Sequence, residues 1–361
     1  MSPLRPIVAS AAFVLIAACG ALPSSHGGAD DSAAPALSDV TPLEDPRDWE
    51  GASHASVEQA AIEPVSTDPE QDLPVTVTDA QGTKVTVDDT SRILALDIYG
   101  TLSQTVFELG LGDQVVGRDI STQFKEASEL PLVTGKGHDL SAEAILALDP
   151  TVLITDTSLG PWDVVLQIRK AGIPVVVVDS GRSIENTRSL TMEVAEALGV
   201  PEVGSKLADR IEAEVEKVTA QIADVAPSAE RDKLRMVFLY VRGQAGVYYM
   251  FGEDSGADDL ITAIGGYDVS EEIGWKGMKP VNDEGIIAAQ PDLILMMTKG
   301  LESVGGVDGL LERLPALAQT PAGQKKRVVD MTDSQILSYG PRTAEVLNSL
   351  AVSVYAPEAV E

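Results

Sequence analysis

Only three histidines, His26, His54 and His138, and one cysteine, Cys19, occur in this 361-residue chain. His26 and His54 fall in an acidic N-terminal stretch and read as solvated and without function, which leaves His138 as the one imidazole in the part expected to fold. It stands between Gly137 and Asp139, after a strand and just before a helical pattern, at the kind of edge where α/β sheets commonly gather a binding site. Tyr240 and Arg242 form a second candidate group, two apart on a strand-like run and hence on one face. A phenol is mostly protonated at neutral pH, so a guanidinium beside it favours the phenolate and any bond the phenolate makes. Taken alone, a strand tyrosine is usually packing and a lone histidine usually structural, and Arg242 can equally pair with an Asp. One histidine cannot complete a nucleophile–His–acid set or supply the several ligands of a zinc or manganese site. No glycine-rich phosphate loop is present. The chain reads as a binding protein, not an enzyme.

The elements around these residues are written twice. LSAEAILALDPTVLI (140–154) and VNDEGIIAAQPDLIL (281–295) align without a gap and share Glu143/Glu284, Ile145/Ile286, Ala147/Ala288 and Pro150/Pro291, each pair offset by 141 residues. Both copies predict a polar cap (Ser141; Asn282 or Asp283), a Glu in the first turn where the helix dipole favours it, a short apolar helix, a Pro stop and a buried parallel strand. One copy in each half implies two lobes of like design with a cleft between them.

Residues 1–18 carry one charge, Arg5, and a twelve-residue apolar run. That is too short to span a bilayer and suits a secretory signal. The run ends in LIAACG, which resembles the lipobox of bacterial lipoproteins with cleavage before Cys19. With no second cysteine, an intrachain disulfide is impossible. Residues 19–72 hold 12 Asp or Glu against one Arg, a composition expected to stay extended and disordered as an acidic tether. The remainder carries 44 acidic and 24 basic residues, which argues against nucleic acid as a partner.

The pattern from residue 74 predicts an edge hairpin around 79–82, then strands at 92–96 and 114–117, a helix at 101–109, the first repeat copy, a helix at 162–171 and a strand at 174–179. Residues 202–225 break that rhythm with apolar residues at Val203, Leu207, Ile211, Val215, Val218 and Ile222, the stripe of one long helix. Strands at 233–241 and 327–330, the second copy and a closing helix at 342–355 follow. The expected fold is α/β: two Rossmann-like lobes joined by a single long α-helix, with a ligand cleft between them. The divisions are 1–18 signal peptide, 19–72 lipidated cysteine and tether, 73–200 N-terminal lobe, 201–227 bridging helix and 228–361 C-terminal lobe.

In RILALDIYGTLSQTVFELGLGDQVVGRD (92–119), both repeat copies, the long helix and YGPRT (339–343), the chain resembles ABC-transporter solute-binding proteins whose lobes are joined by one long helix. These serve ferric siderophores, cobalamin and heme. GKGHDLSAE (135–143) and FLYVRGQAG (238–246) resemble the heme-binding HmuT-type lipoproteins of actinobacteria. The resemblance implies heme b as transported ligand, with His138 and Tyr240 as axial iron ligands from opposite lobes. Ferric iron suits a phenolate oxygen with an imidazole on the other face. Arg242 is expected to hydrogen-bond the phenolate or pair with a heme propionate. Tyr99, Met278, Met297 and Tyr339 are candidate porphyrin walls, although relatives often carry an aromatic residue at the position of Met278. Glu143 and Glu284 are expected to dock on the permease, which works with its ATPase. The protein is expected to be an extracytoplasmic monomer held on the cell membrane by a lipid on Cys19. A ferric siderophore or cobalamin on the same scaffold is the alternative, and a surface adhesin or sensor domain a remoter one.

Overall fold

The computed structural model describes residues 33–58, 61–135 and 137–360. The signal, Cys19 and His26 lie outside them. The first strand, β1 (Ser53–Ala55), is followed by the hairpin β2 (Val75–Thr78) and β3 (Lys84–Val87), which turns where expected. Next come β4 (Ile93–Leu96), α1 (Thr101–Glu108), α2 (Ala142–Ala147), β5 (Val152–Thr155), α3 (Trp162–Lys170), β6 (Val175–Val177) and α4 (Thr187–Ala197). Strands β4, β5 and β6 form a parallel sheet of Ile, Leu, Val, Ala and Thr, buried throughout as a helix-covered sheet requires. The strand expected at 114–117 is reduced to one bridge between Ile93 and Val115, because a 3-10 turn at Gly112–Gln114 takes up its start.

The long helix α5 (Pro201–Val225) begins with Pro at its first position, where no N–H is needed. At 25 residues it is about 37 Å long. Leu207, Ile211, Val215, Val218 and Ile222 are buried along one stripe. Gly204 lies where α5 presses on α4: a Cβ there would stand 2.3 Å from that of Ala195.

The second lobe contains β7 (Arg235–Arg242), β8 (Val247–Phe251), α6 (Ala257–Ala263), β9 (Tyr267–Asp268), α7 (Val269–Glu272), β10 (Met278–Pro280), α8 (Asp283–Ala289) and β11 (Leu293–Met297). It ends with α9 (Thr298–Glu302), α10 (Gly306–Arg313), α11 (Pro321–Gln324), β12 (Val328–Met331) and α12 (Thr343–Tyr355). Its sheet runs β1-β12-β11-β7-β8-β10, parallel as far as β7 and antiparallel beyond, with β9 paired to β7. The fold is the two-lobe α/β architecture expected. One apolar core runs from β4 and β5 through α4 and α5 into β7, β12 and α12.

The repeat copies are true structural equivalents. Ser141 accepts from Ala144 N at 3.2 Å, and Asn282 from Gly285 N at 2.7 Å. Asp149 (φ 46°) and Gln290 (φ 41°), each just before the stop proline, both take the left-handed conformation that closes a helix.

Residues 33–72 correct the expected tether, for those described are ordered. Leu37 is 2% exposed, and its N–H bonds Asn348 Oδ1 at 2.9 Å. Strand β1 adds to the edge of β12. Buried Arg327 holds Ser53 Oγ and the carbonyls of Ser353 and Val354 in the last turn of α12, so the negative end of that helix serves as its counter-charge. His54 is not solvated: it is half-buried, with Nδ1 2.8 Å from Asp330 Oδ2. Past this point the chain changes lobe. Ile62 N bonds Glu126 Oε1, Val65 N bonds Glu108 O, and Asp72 N bonds Gly199 O. The N-terminal segment is thus a strap, a second crossing between the lobes beside α5. The edge of β12 gains a partner strand in β1, which outweighs the polarity of the strap itself.

Candidate functional site

His138 is delivered by a tight loop on the N-terminal lobe. Gly135 N bonds Asp139 O at 2.7 Å, Gly137 takes φ 73°, and Leu140 N bonds Gly160 O at 2.5 Å. The side chain is exposed at the mouth of the cleft, yet its surroundings withdraw enough water to hold its pKa below the usual 6.5. The charges of Arg242 and Lys299 lower it further, and Asp333 and Asp139 oppose them. Arg242, Lys299 and Asp333 belong to the other lobe. Loss of water and the two cations together favour the neutral imidazole.

Tyr240 lies near the C-terminal end of β7, paired with Tyr249, half-buried and stacked 5.9 Å from the ring of Phe251. Arg242 shares its face as the strand period requires, but not with the hydrogen bond expected. Its guanidinium carbon stands 4.4 Å from the centroid of the Tyr240 ring, while its donors go to Val241 O at 2.9 Å and Asp333 Oδ2 at 2.8 Å. The guanidinium is thus held over the ring face, where the ring quadrupole attracts it. Asp333 also accepts from the backbone N–H of Lys299 at 3.1 Å, so it ties the Arg242 side chain to the start of α9.

The wall candidates divide. Tyr99 follows β4, half-buried beneath Arg182, and lines an interlobe cavity of about 390 Å³ together with Gln104, Ser121, Thr332, Ser338 and Arg342. Neither His138 nor Tyr240 lines that cavity. Met297 ends β11, half-buried against the core, and Met278 is 54% exposed on the outer strand β10. Tyr339 is not a wall: it is 3% exposed with its hydroxyl bonded to Gly256 O, and its neighbour Ser338 reaches the cavity instead. The chain turns at YGPR, so adjacent residues face opposite ways.

Sequence reading missed the buried charge cluster under Tyr99. Arg182 bonds Asp156 Oδ2 at 2.5 Å and Asp97 Oδ2 at 3.3 Å, with all three buried. Burial pushes Asp97 up to about 7, against the pull of Arg182 and with added repulsion from Asp119 and Asp156. Asp119, pushed by burial to about 6, accepts from Ser121 N and Thr122 N at 2.8 Å each and so sets the loop at the cavity wall. The carboxylates follow the C-terminal ends of β4 and β5, the one positional signal that marked them.

Glu143 and Glu284 are both exposed in the first turns of α2 and α8. Among the described residues no group of three or more His, Cys, Asp or Glu is arranged to hold a metal ion, and no helix is long and apolar enough to cross a membrane.

Two α/β lobes joined by a long helix and facing each other across a cleft define the two-lobe solute-binding proteins. The chain belongs to the periplasmic binding protein family, whose profile matches residues 98–335. It is similar to the heme binding protein HmuT, with a TM-score of 0.81 and 42% identity over 86% of this chain and 99% of that one. Structures of HmuT with alanine replacing one histidine, one tyrosine or one arginine resemble it equally. The heme-binding protein RhuT from Roseiflexus sp. RS-1 matches with a TM-score of 0.67 and 37% identity, covering 76% of this chain and all of that one. An uncharacterized ABC transporter substrate-binding lipoprotein of Bacillus subtilis (strain 168), YvrC, is 26% identical over 288 residues, 78% of this chain and 86% of the relative.

Proposed function

We infer that this chain is the receptor of an ABC importer and carries heme, as heme b, in its interlobe cleft. His138 and Tyr240 hold the ferric iron from opposite faces, and the cargo passes to a permease driven by its ATPase. The observation that carries this reading is that Arg242, 4.4 Å over the Tyr240 ring on one lobe, is among the charges that lower the pKa of His138 on the other. One imidazole and one phenol are thus offered by opposite lobes. Porphyrin brings four nitrogens of its own, so a protein with only two ligands to offer is complete for this cargo. The similarity to heme-binding proteins supports the same ligand.

The imidazole and the phenol oxygen act as bonding groups, and the protein has no catalytic role. Met297 and Tyr99 offer apolar contact to the porphyrin, and the rim cations Arg242 and Lys299 suit its propionates. Glu143 and Glu284 meet the permease, and a lipid on Cys19 keeps the monomeric receptor at the outer face of the cell membrane. Parallel titrations with hemin, a ferric hydroxamate siderophore and cobalamin, followed by tryptophan fluorescence, test the ligand class. Hemin saturates at one equivalent and the other two leave the signal unchanged. Binding of a siderophore or cobalamin in place of hemin overturns the assignment.

A further inference from the structure

The two repeat copies agree in more than their glutamates. Leu146 and Ile287 are separated by the same 141 residues, and each is 41% exposed. They are two of only five large apolar side chains exposed among the described residues. Ala147 and Ala288, identical in the two copies, are exposed as well, whereas Ile145 and Ile286 turn inward at 0% and 2%. On both helices, then, a Glu, a branched aliphatic residue and an Ala occupy positions i, i+3 and i+4, which share one face. A single exposed Leu needs no explanation. The same exposed triplet at matched positions of two lobes does, because the fold leaves these three side chains turned outward. Glu143 and Glu284 enter no ion pair among the described residues.

We propose that the docking surface is this triplet, presented once by each lobe, and that it fits a partner made of two like subunits. Each subunit would set a cationic side chain beside an apolar recess. The inference rests on the reading of Glu143 and Glu284 as docking points and assigns most of the affinity elsewhere. An exposed ion pair is worth at most about fivefold in binding. Burying one aliphatic side chain is worth about tenfold or more. The alanine, with nothing beyond Cβ, lets the partner's backbone come close to the helix between the other two. The glutamate then chooses the cationic subunit, and the aliphatic residue holds it.

The experiment uses the full lipoprotein and its permease–ATPase complex in nanodiscs, with affinity read by biolayer interferometry and hemin binding as a control. Leu146→Gln combined with Ile287→Gln lowers docking affinity about a hundredfold and leaves hemin affinity unchanged. Ala147→Leu with Ala288→Leu weakens docking too, although it adds apolar surface. If the glutamine pair docks normally while Glu143→Ala with Glu284→Ala does not, the glutamates dock the protein and the apolar face is refuted. If neither pair alters docking, the permease binds elsewhere and the docking reading falls with it. A gain in affinity from the leucine pair refutes the close approach at the alanines.

Discussion

Arg242 acts on two side chains at once. Its guanidinium stands over the Tyr240 ring, and its charge also lowers the pKa of His138, which the loss of surrounding water already holds below 6.5. Arg242→Ala should therefore raise the His138 pKa, as an NMR titration of the ring Cε1 proton would show; an unmoved midpoint would detach Arg242 from this imidazole. The two proposed ligands are not equal, because a tyrosine bound to iron as phenolate brings charge as well as a bond. Tyr240→Ala should cost more hemin affinity than His138→Ala, and the reverse order would contradict that view. His138 was legible because it is the only histidine beyond residue 54. Asp333 was not, for it lies in an irregular turn after β12 where no periodicity marks a partner for Arg242. Tyr339 was misread because a residue type does not say which way a turn faces.

At the level of elements, the repeated helix–strand unit announced both lobes. A cap, a stop proline and a buried strand each leave a local signature, and Ser141, Asn282, Asp149 and Gln290 all behave accordingly. The strap left none. Its apolar anchors Leu37, Ala55 and Val57 are too far apart to show a period, and β1 has only three residues. Its order comes from partners 274 and 311 residues away along the chain, Arg327 and Asn348. Leu37→Ala tests it: the buried side chain should take about 2–3 kcal/mol from the unfolding free energy in urea. A disordered tether would give no change. The same strap places Ser56, Val57 and Glu58 along the interlobe cavity, so it forms part of that wall.

For the molecule as a whole, the lobes share one core through α5 and α12 and meet again where Thr101 bonds the carbonyl of Ser338 and Ile184 N bonds Asp259 at 3.2 Å. The buried carboxylates beside that seam tie stability to pH. Asp97 is raised to about 7 in the fold from an ordinary 3.8, so the fold holds its proton more tightly than the unfolded chain. Its contribution is full below 3.8 and is lost as pH rises through about 7. The Tm should fall between about pH 4 and 7, and Asp97→Asn should flatten that slope. An equal slope in the variant would place the dependence elsewhere. The central claim is that one heme is bonded by both lobes, and the absorption spectrum of the hemin complex tests it most directly. The wild-type spectrum should show a single Soret band that shifts in His138→Ala, shifts differently in Tyr240→Ala and reverts to that of free hemin when both are replaced. A wild-type Soret band retained in either single variant would contradict it.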